Sequence, residues 1–170
     1  MSQSSPEFIE GTTARHAVED VATYPRPPVL QVLRYPISIV LDGQQIVSTR
    51  SAYRVLETFH PPTYYIPPDD VAEGVLSPIP RQSVCEWKGP ARYFNVHSAD
   101  RVQEAAAWCY LDPVEAFAPI KDYLAFYCDP MDTCLVDGVR ATPQPGGFYG
   151  GWITPWIVGR IKGAPGTNHW

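Results

Sequence analysis

Ile37-Ser38-Ile39-Val40-Leu41, Asp42-Gly43 and Gln44-Gln45-Ile46-Val47-Ser48 follow one another without a break, and this stretch decides the fold. Two β-prone runs joined by Asp-Gly predict a hairpin, because its tight turn needs positive φ at both positions, which Gly takes freely and Asp tolerates. Leu135-Val136-Asp137-Gly138-Val139-Arg140 repeats the pattern far downstream and predicts a second hairpin. Between them, Tyr53-Arg54-Val55-Leu56-Glu57 alternates apolar and polar side chains, the period of a half-buried strand. Tyr64-Tyr65-Ile66 is a short strand held between Pro61-Pro62 and Pro67-Pro68. Residues 83–88 and 92–97 are predicted strands around Gly89-Pro90, and the apolar run 123–128 is predicted as a central strand. Ala105-Ala106-Ala107-Trp108-Cys109-Tyr110 fits helix or strand on propensity alone.

Helix signals are few. Asp69-Asp70 ahead of Val71-Ala72-Glu73-Gly74-Val75-Leu76 predicts a turn or two with an acidic start, and Asp112-Pro113 opens a second short helix. Proline supplies 19 of the 170 residues, well above an average of about 5%, and that density breaks helices. The expected fold is therefore mainly β, a small barrel or two-sheet arrangement with one or two short helices.

Hydrophobic residues make up 45% of the chain, enough for a buried core, so no disulfide or metal staple is required. The net charge is -5 and the basic residues are scattered, which argues against nucleic acid. No apolar run approaches the ~20 residues of a membrane helix. Met1-Ser2-Gln3-Ser4-Ser5-Pro6 lacks the basic and apolar regions of an export signal, so the cytoplasm is the expected location. Cys85, Cys109, Cys128 and Cys134 include no C-x-x-C spacing, and neither a disulfide nor a metal site is expected.

Composition divides the chain into an N-terminal extended segment (1–34), a β-rich core (35–142) and a Gly/Pro/Trp-rich tail (143–170). Residues 1–20 read as mobile or loosely attached, and Tyr24-Pro25-Arg26-Pro27-Pro28 as a rigid, polyproline-like lead-in. Three of five tryptophans, Trp152, Trp156 and Trp170, lie in the tail beside Phe148 and Tyr149. A disordered tail is poor in aromatics, so this one is expected to dock on the core or on a second subunit of a homodimer.

Candidate functional residues gather where strands meet Pro or Gly loops, the usual place for function on a β scaffold. Glu57 is a general base or cation ligand, or simply the ion-pair partner of Arg54. His60 is a base near neutral pH, or a turn cap before Pro61-Pro62. Tyr64 and Tyr65 point to opposite faces of their strand, so one belongs to the core and the other to a cleft. Cys85 and Lys88 form the sharpest pair. Three residues apart in one strand they diverge, unless a bulge or the Gly89 turn re-aims one of them. If they converge, the ammonium favours the nucleophilic thiolate; if they diverge, they are a buried thiol and a solvated lysine. Tyr93, Trp108, Tyr110 and Tyr127 complete an aromatic lining. No G-x-S-x-G elbow, P-loop or G-x-G-x-x-G occurs, so neither a reaction nor a cofactor follows from motifs.

Together Arg54-Val55-Leu56-Glu57, His60-Pro61-Pro62, Tyr64-Tyr65-Ile66-Pro67, Asp70-Val71, Cys85-Glu86-Trp87-Lys88-Gly89, Ala91-Arg92-Tyr93, Ala107-Trp108-Cys109-Tyr110 and Ala125-Phe126-Tyr127 resemble the family called domain of unknown function 427. The tail Pro143-Gln144-Pro145-Gly146-Gly147-Phe148-Tyr149-Gly150-Gly151-Trp152 is similar to that of one bacterial branch of it. The resemblance implies a β-tent like those of Mss4 and methionine sulfoxide reductase B. Their paired C-x-x-C knuckles are missing here, so their zinc and reductase chemistry are not implied. The family also carries a nucleotidyltransferase label, but this chain has no phosphate loop or paired metal carboxylates to match it. Two readings follow: an aromatic-lined small-molecule site, catalytic or not, and a protein-interaction module that uses the aromatic tail.

Overall fold

The computed structural model describes residues 16–85, 87–167 and 170. The mobile leader expected at the N-terminus falls mainly on residues 1–15, which lie outside the described residues. Residues 16–20 are tied down: His16 is buried, stacks on Trp156 at 3.8 Å and meets Asp137 at 2.9 Å. Glu19–Asp20 pairs in parallel with Ile157–Val158 of the tail.

The architecture is mainly β, with two four-stranded sheets, one three-stranded sheet and two short ribbons. None of the sheets closes into a barrel. Both Asp-Gly turns form: Asp42 and Gly43 have φ of 57° and 77°, Asp137 and Gly138 of 52° and 80°. The hairpin Ile37–Leu41/Gln44–Thr49 joins Thr133–Val136 and Val139–Arg140 in one four-stranded sheet. Its register slips at Ile39/Val40, and Ile46 and Val47, adjacent in sequence, are both buried there. Val29–Val32, Tyr53–Leu56 and Thr63–Tyr65 make the three-stranded sheet.

The second four-stranded sheet positions the site. Leu76–Cys85, Gly89–His97 and Val102–Tyr110 run antiparallel, with Ala125–Phe126 at its edge. The ambiguous segment around Trp108 is thus strand. The register pairs Ser83 with Ala91 and Ala91 with Tyr110, and Tyr93 with Trp108. Residues directly opposite share a face, so the larger side chains of this set stand on one side of the sheet. Ala107 and Cys109 face the main core, which also holds Ile39, Ile66 and Phe126. Trp108, Tyr110 and Tyr93 belong to a second cluster with Tyr65 and Phe117.

Four expectations need correction. The 123–128 run is not a central strand: Leu124 makes an isolated bridge to Ile66, just past Thr63–Tyr65, then Ala125 and Phe126 pair at the edge of a four-stranded sheet. Asp122, at φ 67°, turns the chain immediately before it. The acidic helix is only the 3₁₀ turn Pro68–Asp70, because Val71 already bridges to Val47 and Gly74, at φ 81°, reverses direction. The strand assigned to residues 83–88 ends at Cys85, and Trp87-Lys88 is turn. The second helix is the 3₁₀ stretch Glu115–Ile120, starting two residues beyond Pro113.

The tail packs on this framework. Trp152 is 1% exposed and donates its indole N–H to the Phe126 carbonyl at 2.9 Å. Burying such a ring removes roughly 150–250 Å² from water, about 4–6 kcal/mol before entropy is charged. Trp156 is buried as well, and Trp170 meets Phe59 edge-on with Arg160 over its ring.

Candidate functional site

Between the long hairpin Leu76–Cys85/Gly89–His97, the three-stranded sheet and the tail lies a cavity of about 330 Å³. Of the ten residues marked in the sequence, Glu57, His60, Tyr65, Cys85 and Lys88 line it, as do Tyr93, Trp108, Tyr110 and Tyr127. Tyr64 does not. It points into the core against Trp152, with ring centroids 5.1 Å apart, as the alternation of side chains along its strand demands.

Cys85 and Lys88 open onto the same space because Lys88 belongs to the turn, where strand parity no longer applies. Cys85 is half-buried; Cys109, Cys128 and Cys134 are buried in the core. Burial, then the neighbouring Tyr65 and Cys85, hold the Tyr110 phenol firmly protonated. Burial likewise raises Tyr65, with the polar groups of Trp108 and Tyr110 opposing part of the rise. Tyr127 is pushed up to about 12, chiefly by burial, and its hydroxyl donates to the Phe148 carbonyl at 3.0 Å.

Lys88 is 7% exposed. Its ammonium lies 5.6 Å from the Phe117 ring centroid and 5.8 Å from that of Tyr110. Among the described residues no carboxylate stands within ion-pair distance of it. Each such ring contact contributes ~0.5–2 kcal/mol.

His60 is fixed by Gln144, a residue the sequence reading passed over. The Gln144 amide donates to His60 Nδ1 at 3.0 Å and to the Lys162 carbonyl at 2.8 Å, and its oxygen accepts from Gly151 N–H at 3.0 Å. That oxygen contact sets the amide orientation, so Nδ1 must be an acceptor and the imidazole proton sits on Nε2. Burial, then the positive charges of Lys162, Arg26 and Lys88, push His60 down to about 4. Glu57, 4.0 Å from Nε2, stands at the edge of ion-pair range and does not offset them.

The tail contributes one wall. The segment between Thr142–Pro143 and Trp152–Ile153 brings Phe148, Tyr149 and Gly150 to the cavity, and Lys162 follows from further along. Gly150 lies flat on Trp108: a Cβ there would be 2.1 Å from a ring carbon of the indole. The double glycine therefore provides close approach, a use that a search for phosphate loops does not detect. The Lys162 ammonium stands 5.4 Å from the Tyr149 ring, and Tyr149 meets His60 edge-on at 4.8 Å.

Among the described residues no three His, Cys, Asp or Glu side chains gather in metal-binding range. No helix among them is long and apolar enough to cross a membrane. No curated protein matches the chain. Residues 30–137 match the family model described as Domain of unknown function (DUF427), which leaves Gln144, Phe148, Tyr149, Gly150 and Lys162 of the cavity beyond the matched span. With well over half its length matched, the chain belongs to the DUF427 family.

Proposed function

We propose that the chain binds a small molecule in the cavity between the long hairpin and the tail. The observation that carries this reading is the convergence of Tyr65, Tyr93, Trp108, Tyr110 and Tyr127 with Lys88, His60 and Glu57 on one recess. Aromatic walls with a few aimed polar groups describe a ligand pocket, whereas a protein-docking surface is flatter and larger. Cys85 is the nucleophile such a site offers, with Lys88, Glu57 and His60 as the groups that would serve it. Binding stands without catalysis in this reading, and catalysis would be added by the thiol.

Saturation-transfer NMR with indole and 1-naphthoate as probes tests it. Both are expected to receive saturation from the wild-type protein and to lose it when Trp108→Leu and Tyr110→Leu are combined in a variant that keeps its far-UV spectrum. Equal transfer to the double variant, or none to the wild type, would remove the cavity as the binding site.

A further inference from the structure

The charges that line the cavity do not balance. Among the described residues of the lining, Lys88 and Lys162 contribute two positive charges, Glu57 contributes one negative charge, and His60 is neutral, an excess of one positive charge. Neither ammonium has a carboxylate within ion-pair distance among the described residues, and Lys88 is more than nine-tenths buried. Each ammonium instead faces a ring: Tyr110 and Phe117 for Lys88, Tyr149 for Lys162. A largely buried lysine that lines a recess and has no carboxylate partner among the described residues is a group that can hold a ligand's negative charge.

From this we infer that the ligand is a small aromatic monoacid, its single negative charge held by Lys88 and Lys162 and its ring packed against Trp108 and the tyrosines. This rests on the pocket reading above and adds to it the ligand's charge and shape. One net positive charge matches a carboxylate better than a phosphate dianion. Phosphate sites are also typically built from successive backbone N–H groups or the start of a helix, and the described helical segments here are only 3₁₀ stretches of three to six residues. A volume of about 330 Å³ lies at the small end for ligand pockets and suits one or two rings.

Isothermal titration of 1-naphthoate and its neutral isostere 1-naphthamide separates the two layers of the argument. The acid is expected to bind at least about tenfold more tightly than the amide, the scale of one charge-assisted contact in a desolvated site. Lys88→Met, which keeps the aliphatic stem, should abolish that preference while leaving amide binding within about twofold; Lys88→Arg should preserve it. Lys162→Met should weaken the acid alone. Equal binding of acid and amide to the wild type would overturn the charge assignment and leave the pocket standing. Binding of neither probe would overturn both.

Discussion

Gln144 and His60, 84 residues apart in sequence, are joined by a 3.0 Å hydrogen bond in which the glutamine amide donates to Nδ1. The same amide holds the Gly151 N–H and the Lys162 carbonyl, so one side chain ties the tail to the histidine. Gln144→Leu keeps comparable bulk and strands both backbone groups in a site that is 4% exposed. Each orphaned buried group costs about 1–3 kcal/mol. Urea denaturation should therefore show a loss of roughly 2–5 kcal/mol, with weaker probe binding. A loss under ~0.5 kcal/mol, typical of surface changes, would mean that the tail does not depend on this residue.

His60 makes stability depend on pH in a fixed direction. Its folded value of about 4 lies below the ordinary 6.5, so the unfolded chain takes the proton first and stability rises with pH between those values. The contribution is complete above pH 6.5 and lost as pH falls to 4; integrated over that window it amounts to roughly 3 kcal/mol at most. Stability in this pH range also depends on groups other than His60, so the comparison is with His60→Gln. The difference between the two stability profiles should slope by about one proton across this window. Parallel profiles would show that the imidazole is not held neutral.

Only one thiol faces the cavity. In the native protein iodoacetamide should modify Cys85 first, with Cys109, Cys128 and Cys134 reacting only on unfolding, because all three are buried. Saturating 1-naphthoate should slow Cys85 labelling several-fold by occupying the shared space. Peptide mapping by mass spectrometry reads both results, and labelling that ignores the probe would place the ligand elsewhere.

Gly150→Ala puts a methyl group where the Trp108 ring already stands, 2.1 Å from the nearest ring carbon. Either the loop lifts or the indole turns, at a cost of about 1–3 kcal/mol. Probe affinity should fall by roughly tenfold or more, since a displacement of this kind spoils one wall of the pocket. Unchanged affinity would show that the loop is not part of the site.

Much of this was legible before any coordinates. The Asp-Gly turns carry their own backbone requirement, so both hairpins follow from composition at two positions. Nine of the cavity residues were marked because aromatic and ionisable side chains at strand ends are few and chemically distinct. What local pattern could not supply was the register that aligns Tyr93 with Trp108. It also placed Lys88 inside a strand, although the strand stops at Cys85 and the lysine is free to turn toward the thiol's face. Gln144 and Lys162 escaped notice, and Tyr149 was read only as a docking aromatic, because their roles depend on a tail whose path is set by tertiary contacts: Trp152 in the core and Gly150 on Trp108. No periodicity encodes a contact of that kind.

The most direct test of the account is a ¹⁵N chemical-shift titration of the full chain with 1-naphthoate, following amide and indole N–H signals. The account predicts saturable shifts concentrated at residues 83–93, 108–110 and 144–151, with the Trp108 indole among the largest and Lys162 included. Shifts scattered over the surface, or centred on a face that leaves Trp108 and Lys88 unmoved, would contradict it.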